Sequence, residues 1–271
     1  MTGGGYALID AGEGRRLERF GDRVVDRPAP GAVDPIGLPA AWAAADLRFD
    51  RQTGWLGDVL RPWPVELDGL TLEVRATEVG QVGLFPEHAQ SWPWLRDRSR
   101  GTPAAEVLHL FAHTGASTLA LARAGARVVH VDASRPAVGW ARRNAGLSGL
   151  ADRPIRWLVD DAAAFVEREI RRERRYRGFV IDPPAWGHGA GRPWRLDDDL
   201  GGLLAGCARL ADRDAFVLLT AHSVGWAPDR LAEAVRAAFG GGELDAGRLE
   251  IPAESGATLT LGAWASLIID A

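Results

Sequence analysis

Residues Glu106–Ser117 constrain the possible fold more than any other stretch of this chain. They read Glu-Val-Leu-His-Leu-Phe-Ala-His-Thr-Gly-Ala-Ser. The apolar run at 107–111 has the length and bulk of a buried parallel strand, and Gly115 allows a tight turn after it. An alanine- and leucine-rich segment then predicts a helix that stops at Gly125. Strand, glycine turn and helix form the first unit of a Rossmann-like sheet, in which such a turn binds ligands.

Downstream of this unit, strand-like and helix-like segments alternate, which predicts an α/β fold with a parallel sheet covered on both faces. Further strands are predicted at 127–133, 155–159, 178–181 and 215–221, and helices at 136–147, 161–174, 196–210 and 228–239. Two last strands, near 249–251 and at 258–269, have no helix between them. They therefore predict an antiparallel hairpin at the end of the sheet.

The first hundred residues have a different pattern, with short strand-like runs and no long helix. Strands are predicted at 6–10, 17–22, 55–60 and 70–79, and Leu67-Asp68-Gly69 is a turn signal. Prolines at 28, 30, 35 and 39 exclude a long helix between them. We therefore predict a small β-rich domain over residues 1–100, with a linker near 96–103, and a main domain over residues 101–271.

Composition excludes several classes of protein. No apolar run approaches the roughly 18–20 residues that span a bilayer, and no signal-peptide core is present, so a cytoplasmic location is expected. The single cysteine, Cys207, excludes a disulfide framework and a multi-cysteine zinc site, and no metal is predicted. A net charge of −4 argues against an overall basic surface. Six arginines at 168–177 alternate with glutamates, which favours a solvated helix face with ion pairs over an RNA-binding patch.

The turn at Gly115 lacks the Gly-x-Gly-x-x-Gly pattern that binds the pyrophosphate of a dinucleotide.

Acidic residues stand at the ends of the strands predicted at 127–133 and 155–159. Asp132 is placed to accept hydrogen bonds from ribose hydroxyls, although Ser134-Arg135-Pro136 beside it resembles a helix cap. At the following strand we prefer Asp161 over Asp160 as the acceptor for an adenine amino group, with the backbone of Ala162 facing a ring nitrogen. One of these two carboxylates is expected to cap the next helix.

The most specific motif is Asp182-Pro183-Pro184-Ala185-Trp186, at the end of the fourth strand. Two prolines remove two amide donors and stiffen the backbone. Their carbonyls are then expected to point outward unpaired, where they accept from an amino group of a target. Asp182 is placed to accept from the same group or to take its proton, and Trp186 to stack on a flat substrate such as an extruded base.

Five motifs occur in order, namely Phe-Ala-His-Thr-Gly, Val-Asp-Ala-Ser, Ala-Arg-Arg-Asn-Ala, Val-Asp-Asp-Ala and Ile-Asp-Pro-Pro-Ala-Trp. Together they resemble the S-adenosylmethionine-dependent class I methyltransferases, and closely the branch that contains bacterial large-subunit ribosomal RNA methyltransferases. The resemblance covers residues 80 to 225, and implies a small N-terminal β-rich domain without the separate PUA domain of some members. It implies cofactor contacts at Phe111, Ala112, His113, Thr114 and Gly115 for the methionine part, at Asp132 for the ribose, and at Asp161 and Ala162 for the adenine. Ala133 and Ser134 are also implied to contact the cofactor, and Asp182 to contact both the cofactor and the acceptor.

The end of the fifth strand departs from one part of that branch. Enzymes that methylate carbon 5 of cytosine need a cysteine nucleophile there, but the chain reads Leu-Thr-Ala-His-Ser at 219–223. Cys207 lies on an apolar helix face and is predicted to be a core residue. We therefore predict S-adenosyl-L-methionine-dependent methylation of a nitrogen atom, with ribosomal RNA as the preferred acceptor. The alternatives are a small-molecule methyltransferase and a non-catalytic module that binds cofactor or RNA.

Overall fold

A computed structural model describes residues 4–59, 61–100, 106–188 and 193–270. The chain forms two compact units. The first comprises Met1–Gln90, Arg143–Gly149 and Glu250–Leu261, and the second comprises Ser91–Arg142, Leu150–Leu249 and Gly262–Ala271. The division at residue 100 that the sequence suggests stays a prediction. Among the described residues, no helix has both the length and the apolar character needed to cross a bilayer.

The first unit is built from short strands, as predicted. Its elements are β1 (Tyr6–Gly12), β2 (Arg15–Phe20), β3 (Arg23–Pro28), α1 (Pro39–Ala43), β4 (Leu47–Asp50), β5 (Gly54–Leu56), β6 (Trp63–Leu67), β7 (Leu70–Val74) and a 3-10 helix at Pro86–Ser91. Within the described ranges, β1 to β5 form one sheet in sequence order, and β6 and β7 form a hairpin. Asp68 and Gly69 both have positive φ (49° and 71°), as a two-residue type I′ turn requires.

The second unit carries the alternating elements. They are α2 (Trp92–Ser99), β8 (Glu106–Leu110), α3 (Ala116–Arg123), β9 (Arg127–Asp132), α4 (Arg135–Leu147), β10 (Ile155–Val159), α5 (Ala162–Arg171), β11 (Tyr176–Ile181), β12 (Trp186–His188), β13 (Pro193–Arg195), α6 (Leu196–Leu210), β14 (Ala211–Ala221), α7 (Pro228–Phe239), β15 (Gly242–Pro252) and β16 (Thr258–Ile269). The last residues of α4 and parts of β15 and β16 group with the first unit.

The main sheet has the order β10-β9-β8-β11-β14-β16-β15. The five strands from β10 to β14 are parallel, and β16 runs antiparallel to β14. The chain builds outward from β8 through β9 and β10, and then returns to the other side of β8 with β11. The carboxyl ends of β8 and β11 therefore flank the topological switch point, where open α/β sheets bind ligands. The α/β class predicted from the sequence is confirmed.

The structure differs from the sequence-based prediction at several segments. The strands predicted at 55–60 and 70–79 end at Leu56, where Gly57 turns the chain with φ 103°, and at Val74, and the strand predicted near 249–251 begins earlier, at Gly242. Residues 96–99, expected in a linker, continue the helix α2, because Trp92 and Leu95 are fully buried and hold that helix in place. The rest of the predicted linker, residues 101–103, lies outside the described residues. Helix α5 ends at Arg171 rather than 174, because Glu173 adopts φ 55° and the Arg174 amide donates to the Glu169 carbonyl, closing a Schellman motif.

Candidate functional site at the carboxyl ends of the parallel strands

The turn after β8 has a strained backbone. Phe111, His113 and Gly115 all have positive φ, at 55°, 48° and 84°. A left-handed conformation costs a non-glycine residue roughly 1–2 kcal/mol, and such strain is concentrated at ligand-binding sites. The sequence indicated the left-handed position only at the glycine. The positive φ of Phe111 and His113 therefore indicates that this turn has a ligand-binding role in addition to connecting β8 to α3.

Gly115 also brings the turn close to helix α4. A Cβ at this position would lie 2.9 Å from the Cβ of Ala141, so a larger residue cannot be accommodated without a shift. Gly115 is the N-cap of α3, and no described side chain caps that helix end. Amides in the first turn of a helix lack partners within the helix and attract anionic groups. The turn and helix start therefore offer donors for a carboxylate.

Asp132, at the tip of β9, is joined to the turn of β8. Its Oδ2 accepts from the His113 amide at 2.8 Å, and its Oδ1 accepts from the Ser134 amide at 2.8 Å. The Ser134 hydroxyl in turn accepts from the Ala137 amide at 3.3 Å, so that the capping contact in this segment is made by Ser134. The carboxylate of Asp132 is thus held in one orientation beside Gly115. Its predicted ribose contact fits this position and stays a prediction.

The two acids after β10 have different partners. Asp161 is the N-cap of α5, and its Oδ1 accepts from the Ala164 amide at 2.8 Å. Asp160 forms an ion pair with Arg168, and its amide donates to the Asp132 carbonyl. The capping role and the predicted adenine role therefore fall on the same residue, Asp161. The cap fixes this carboxylate at the strand tip, next to the amide of Ala162.

Asp182, at the tip of β11, contacts the end of the neighbouring strand β14. Thr220 Oγ1 donates to Asp182 Oδ1 at 2.5 Å, and His222 Nε2 lies 3.5 Å from the same oxygen. The Thr220 side chain is buried, whereas that of Asp182 is 25% exposed. The carboxylate is thus supported from one side and reaches solvent on another. The sequence motifs placed Asp182 in the site but gave no role to Thr220, in β14, or to His222, just after it.

The prediction that both proline carbonyls are unpaired is wrong for Pro184. Trp194, on β13, folds back and donates from its Nε1 to the Pro184 carbonyl at 2.8 Å. Its ring also packs on Phe111, with the ring centroids 5.1 Å apart. Among the described residues, no N–H or O–H contacts the carbonyl of Pro183. Trp186 is 56% exposed, an unusual position for so large an apolar ring.

A buried polar network supports the strands beneath the turn. The Thr118 hydroxyl lies 2.7 Å from Nδ1 of His109 and 2.9 Å from Nδ1 of His130. Burial, and then the neighbouring His109, lower the pKa of His130 well below its usual value. His130 is therefore neutral at physiological pH, and its ring packs against Trp157. No local sequence pattern predicts this network, because each residue reads as part of an ordinary strand or helix.

The two remaining sequence features have structural roles. Cys207 is fully buried in the core of the second unit, and burial raises the pKa of its thiol far above the usual value, as expected of a core cysteine. Several of the arginines of 168–177 make ion pairs, as the mixed charges indicated. Arg168 pairs with Asp160, Arg172 with Glu169, and Arg174 with Glu106.

The sequence and fold match known methyltransferases, although no family model matches the chain. The ribosomal RNA large subunit methyltransferase K/L of Stutzerimonas stutzeri is 36% identical over 120 residues, covering 44% of this chain and 15% of the relative. The K/L protein of Marinobacter nauticus is 29% identical over 187 residues, covering 67% of this chain and 25% of the relative. The chain therefore spans a quarter or less of these relatives.

A solved structure matches over nearly the whole chain. It is the S-adenosylmethionine-dependent methyltransferase from Agrobacterium tumefaciens, with 35% sequence identity and a TM-score of 0.92. The match covers 97% of this chain and 90% of the solved one. Its extent, together with the order of the sheet and the acids at its strand tips, shows that the chain belongs to the S-adenosylmethionine-dependent class I methyltransferases.

Proposed function

We propose that this protein methylates a nitrogen atom of an RNA base, with ribosomal RNA as the preferred acceptor. The observation that carries the proposal is the tip of β11, where the Asp182 carboxylate, the Pro183 carbonyl and the exposed ring of Trp186 follow one another. Two oxygen acceptors next to a flat apolar surface suit an aromatic amine. The names of the K/L relatives support RNA as the source of that amine.

The strand tips fit S-adenosylmethionine residue by residue. Uncapped amides at the start of α3 suit its carboxylate, and the fixed carboxylate of Asp132 suits its ribose hydroxyls. Asp161 and the amide of Ala162 suit the adenine edge. When bound, the cofactor supplies an activated methyl group together with its leaving group. The protein then has mainly to align the acceptor nitrogen.

The residues of the β11 tip provide that alignment. An amino group donates one N–H to Asp182 and one to the Pro183 carbonyl, which turns its lone pair out of the plane of the base. Trp186 stacks on the base and holds that plane, as aromatic residues do with extruded or single-stranded bases. The nitrogen loses a proton after it gains the methyl group, and Asp182 accepts it.

Asp132 gives a direct test of the cofactor site. We expect Asp132→Ala to weaken S-adenosylmethionine binding by about 10- to 100-fold, because hydrogen bonds to a charged group contribute roughly 1.5–3 kcal/mol each. Isothermal calorimetry measures the affinity, and Asp152→Ala, an exposed carboxylate in the turn before β10, is the matched control. Equal affinity of the Asp132 variant and the wild type would remove Asp132 from the site.

A variant of Cys207 tests whether methyl transfer needs a cysteine nucleophile. We expect Cys207→Ala to retain wild-type methyl transfer, because the thiol is buried in the core and its pKa is raised. Loss of the sulfur leaves a small cavity, so the free energy of unfolding falls by about 1 kcal/mol. Transfer assays and denaturant unfolding measure both effects. Complete loss of activity in a folded variant would restore a cysteine-dependent mechanism.

Labelled methyl transfer tests the proposed reaction itself. Total RNA from a strain lacking the gene is incubated with the protein and labelled S-adenosylmethionine, and the nucleosides are identified by mass spectrometry. We expect one N-methylated nucleoside to gain label. Label in 5-methylcytosine would overturn the nitrogen assignment, and cofactor binding without transfer to any acceptor would favour a non-catalytic module. The expected cytoplasmic location and absence of a metal stay predictions.

A small-molecule acceptor is the second candidate. It is favoured by the net charge of −4 and by the ion pairs that engage Arg168, Arg172 and Arg174. RNA binding through phosphates weakens steeply as salt increases, whereas binding of a small neutral acceptor does not. The Michaelis constant for the acceptor, measured between about 50 and 200 mM salt, therefore distinguishes the two acceptor classes.

A further inference from the structure

We propose that Thr220 is a positioning residue that orients the Asp182 carboxylate toward the acceptor. This inference rests on the proposed function, since it assigns a role within the same site. It starts from the short hydrogen bond, 2.5 Å, from Thr220 Oγ1 to Asp182 Oδ1. Hydroxyl-to-carboxylate hydrogen bonds of 2.5–2.7 Å are charge-assisted and roughly twice as strong as neutral ones.

The position of Thr220 is fixed by the sheet. β11 and β14 are parallel neighbours with Ile181 opposite Leu219, so Asp182 and Thr220 are the next residues along both strands. On its other side Thr220 is paired with Trp264 of β16. A residue held between two strands and only 2% exposed cannot move its hydroxyl away from the carboxylate without disturbing the sheet.

The alternative is that Thr220 is only a good strand former whose hydroxyl satisfies a backbone carbonyl. Its Oγ1 does lie 3.4 Å from the Ile181 carbonyl, but this contact is long for a hydroxyl donor. The contact with Asp182 is 0.9 Å shorter. The hydroxyl has a single proton, and the geometry directs it to the carboxylate.

The consequence is a fixed carboxylate plane. Thr220 and His222, both at the end of β14, approach the same oxygen, Oδ1. Contacts to one oxygen set the side-chain torsion of Asp182, and hence the direction of Oδ2. Enzymes that methylate carbon 5 of cytosine need a cysteine nucleophile at the end of this strand. In this chain, the residues at the end of β14 instead support the carboxylate of Asp182, on the neighbouring strand.

Two variants of Thr220 test the proposal. Thr220→Val keeps the shape and removes the hydroxyl, and is expected to lower kcat by about tenfold, the effect of losing one hydrogen bond to a charged group. The dissociation constant for S-adenosylmethionine, measured by calorimetry, is expected to change by less than about twofold, because the contact lies on the acceptor side. Thr220→Ser restores the hydroxyl and is expected to recover kcat to within about threefold of the wild type.

The outcomes separate this inference from the proposed function. If the wild type labels no acceptor in total RNA or in a small-molecule extract, the proposed function fails, whatever Thr220 does. If the wild type is active and Thr220→Val has the same kcat, the positioning role is wrong and the proposed function stands. Equal losses in the Val and Ser variants, or an equal loss of cofactor affinity, would show a structural role and also overturn the inference. Thermal unfolding of each variant confirms that it is folded.

Discussion

Replacement of Asp182 by alanine is expected to lower the rate of methyl transfer by at least about 100-fold, the usual contribution of a positioned acid or base. The carboxylate lies at the switch point of the sheet, is partly exposed, and is held by Thr220. In the proposed reaction, its loss removes both an acceptor for the amino group and a proton acceptor. The side chain is not part of the core, but its loss removes the charged acceptor of the buried Thr220 hydroxyl, so a modest fall in the melting temperature is expected. Single-turnover transfer with labelled cofactor measures the rate.

Asp182→Asn distinguishes the two proposed roles of this side chain, alignment of the amino group and uptake of its proton. Asparagine keeps a carbonyl oxygen that accepts from an amino group but cannot take up a proton. If proton transfer limits the rate, the asparagine variant is as slow as the alanine variant, and if alignment limits it, asparagine recovers part of the activity. Asp212→Ala, at the opposite end of β14, is the matched control and should be fully active. Full activity of Asp182→Ala would remove Asp182 from the reaction.

The sheet and its strand tips were predictable because the signals are local. Alternating apolar and helix-forming runs predicted β10, α6 and α7 with the bounds that the structure shows. Parallel strands end at one edge of a sheet, so the acids after β9, β10 and β11 were expected to lie at the same edge. Their roles toward the cofactor and acceptor stay predictions.

The features that the sequence did not reveal depend on contacts between distant residues. Nothing local to Phe111 or His113 predicts a positive φ, since both adopt it only in the packed turn. The contact between Thr220 and Asp182 requires β14 to lie beside β11. Trp194 reaches the Pro184 carbonyl only through the β12–β13 hairpin. The motifs therefore identify the residues that are expected to face the ligand, and they miss the residues that hold these in place.

A buried cluster of charged residues in the first unit also depends on contacts that the sequence does not reveal. Glu18 is fully buried in β2, although Leu-Glu-Arg-Phe reads as a strand with solvated charges. Its carboxylate accepts from Arg27 Nε at 2.5 Å and Nη2 at 3.1 Å, and from the Tyr6 hydroxyl at 3.1 Å. Arg16 Nε lies 3.3 Å away. Two buried guanidinium groups thus share the carboxylate of Glu18, and the buried Glu87 adds a second negative charge that acts on both of them.

Glu18→Gln is therefore expected to lower the free energy of unfolding by about 3–5 kcal/mol, the usual cost of removing one partner from a buried ion pair. The substitution keeps the shape but removes the carboxylate that directly contacts Arg16 and Arg27, so that Glu87 is their remaining buried counter-charge. Denaturant unfolding of both proteins at neutral pH measures the change in the free energy of unfolding. Glu254→Gln is the control, because its ion pair with Arg19 is 41–49% exposed and such pairs contribute at most about 1 kcal/mol.

The same cluster sets an expected dependence on pH. Burial raises the pKa of the Glu18 carboxyl, but Arg16 and Arg27 more than offset this and hold the pKa below its usual range. A carboxyl with a lowered pKa stabilises the folded state above its unfolded pKa of about 4.3, and this stabilisation is lost as the pH falls through the folded pKa. The stability difference between the wild type and Glu18→Gln should therefore be constant above about pH 5.5 and shrink below about pH 4. A difference that grows as the pH falls would contradict a charged Glu18 in the folded protein.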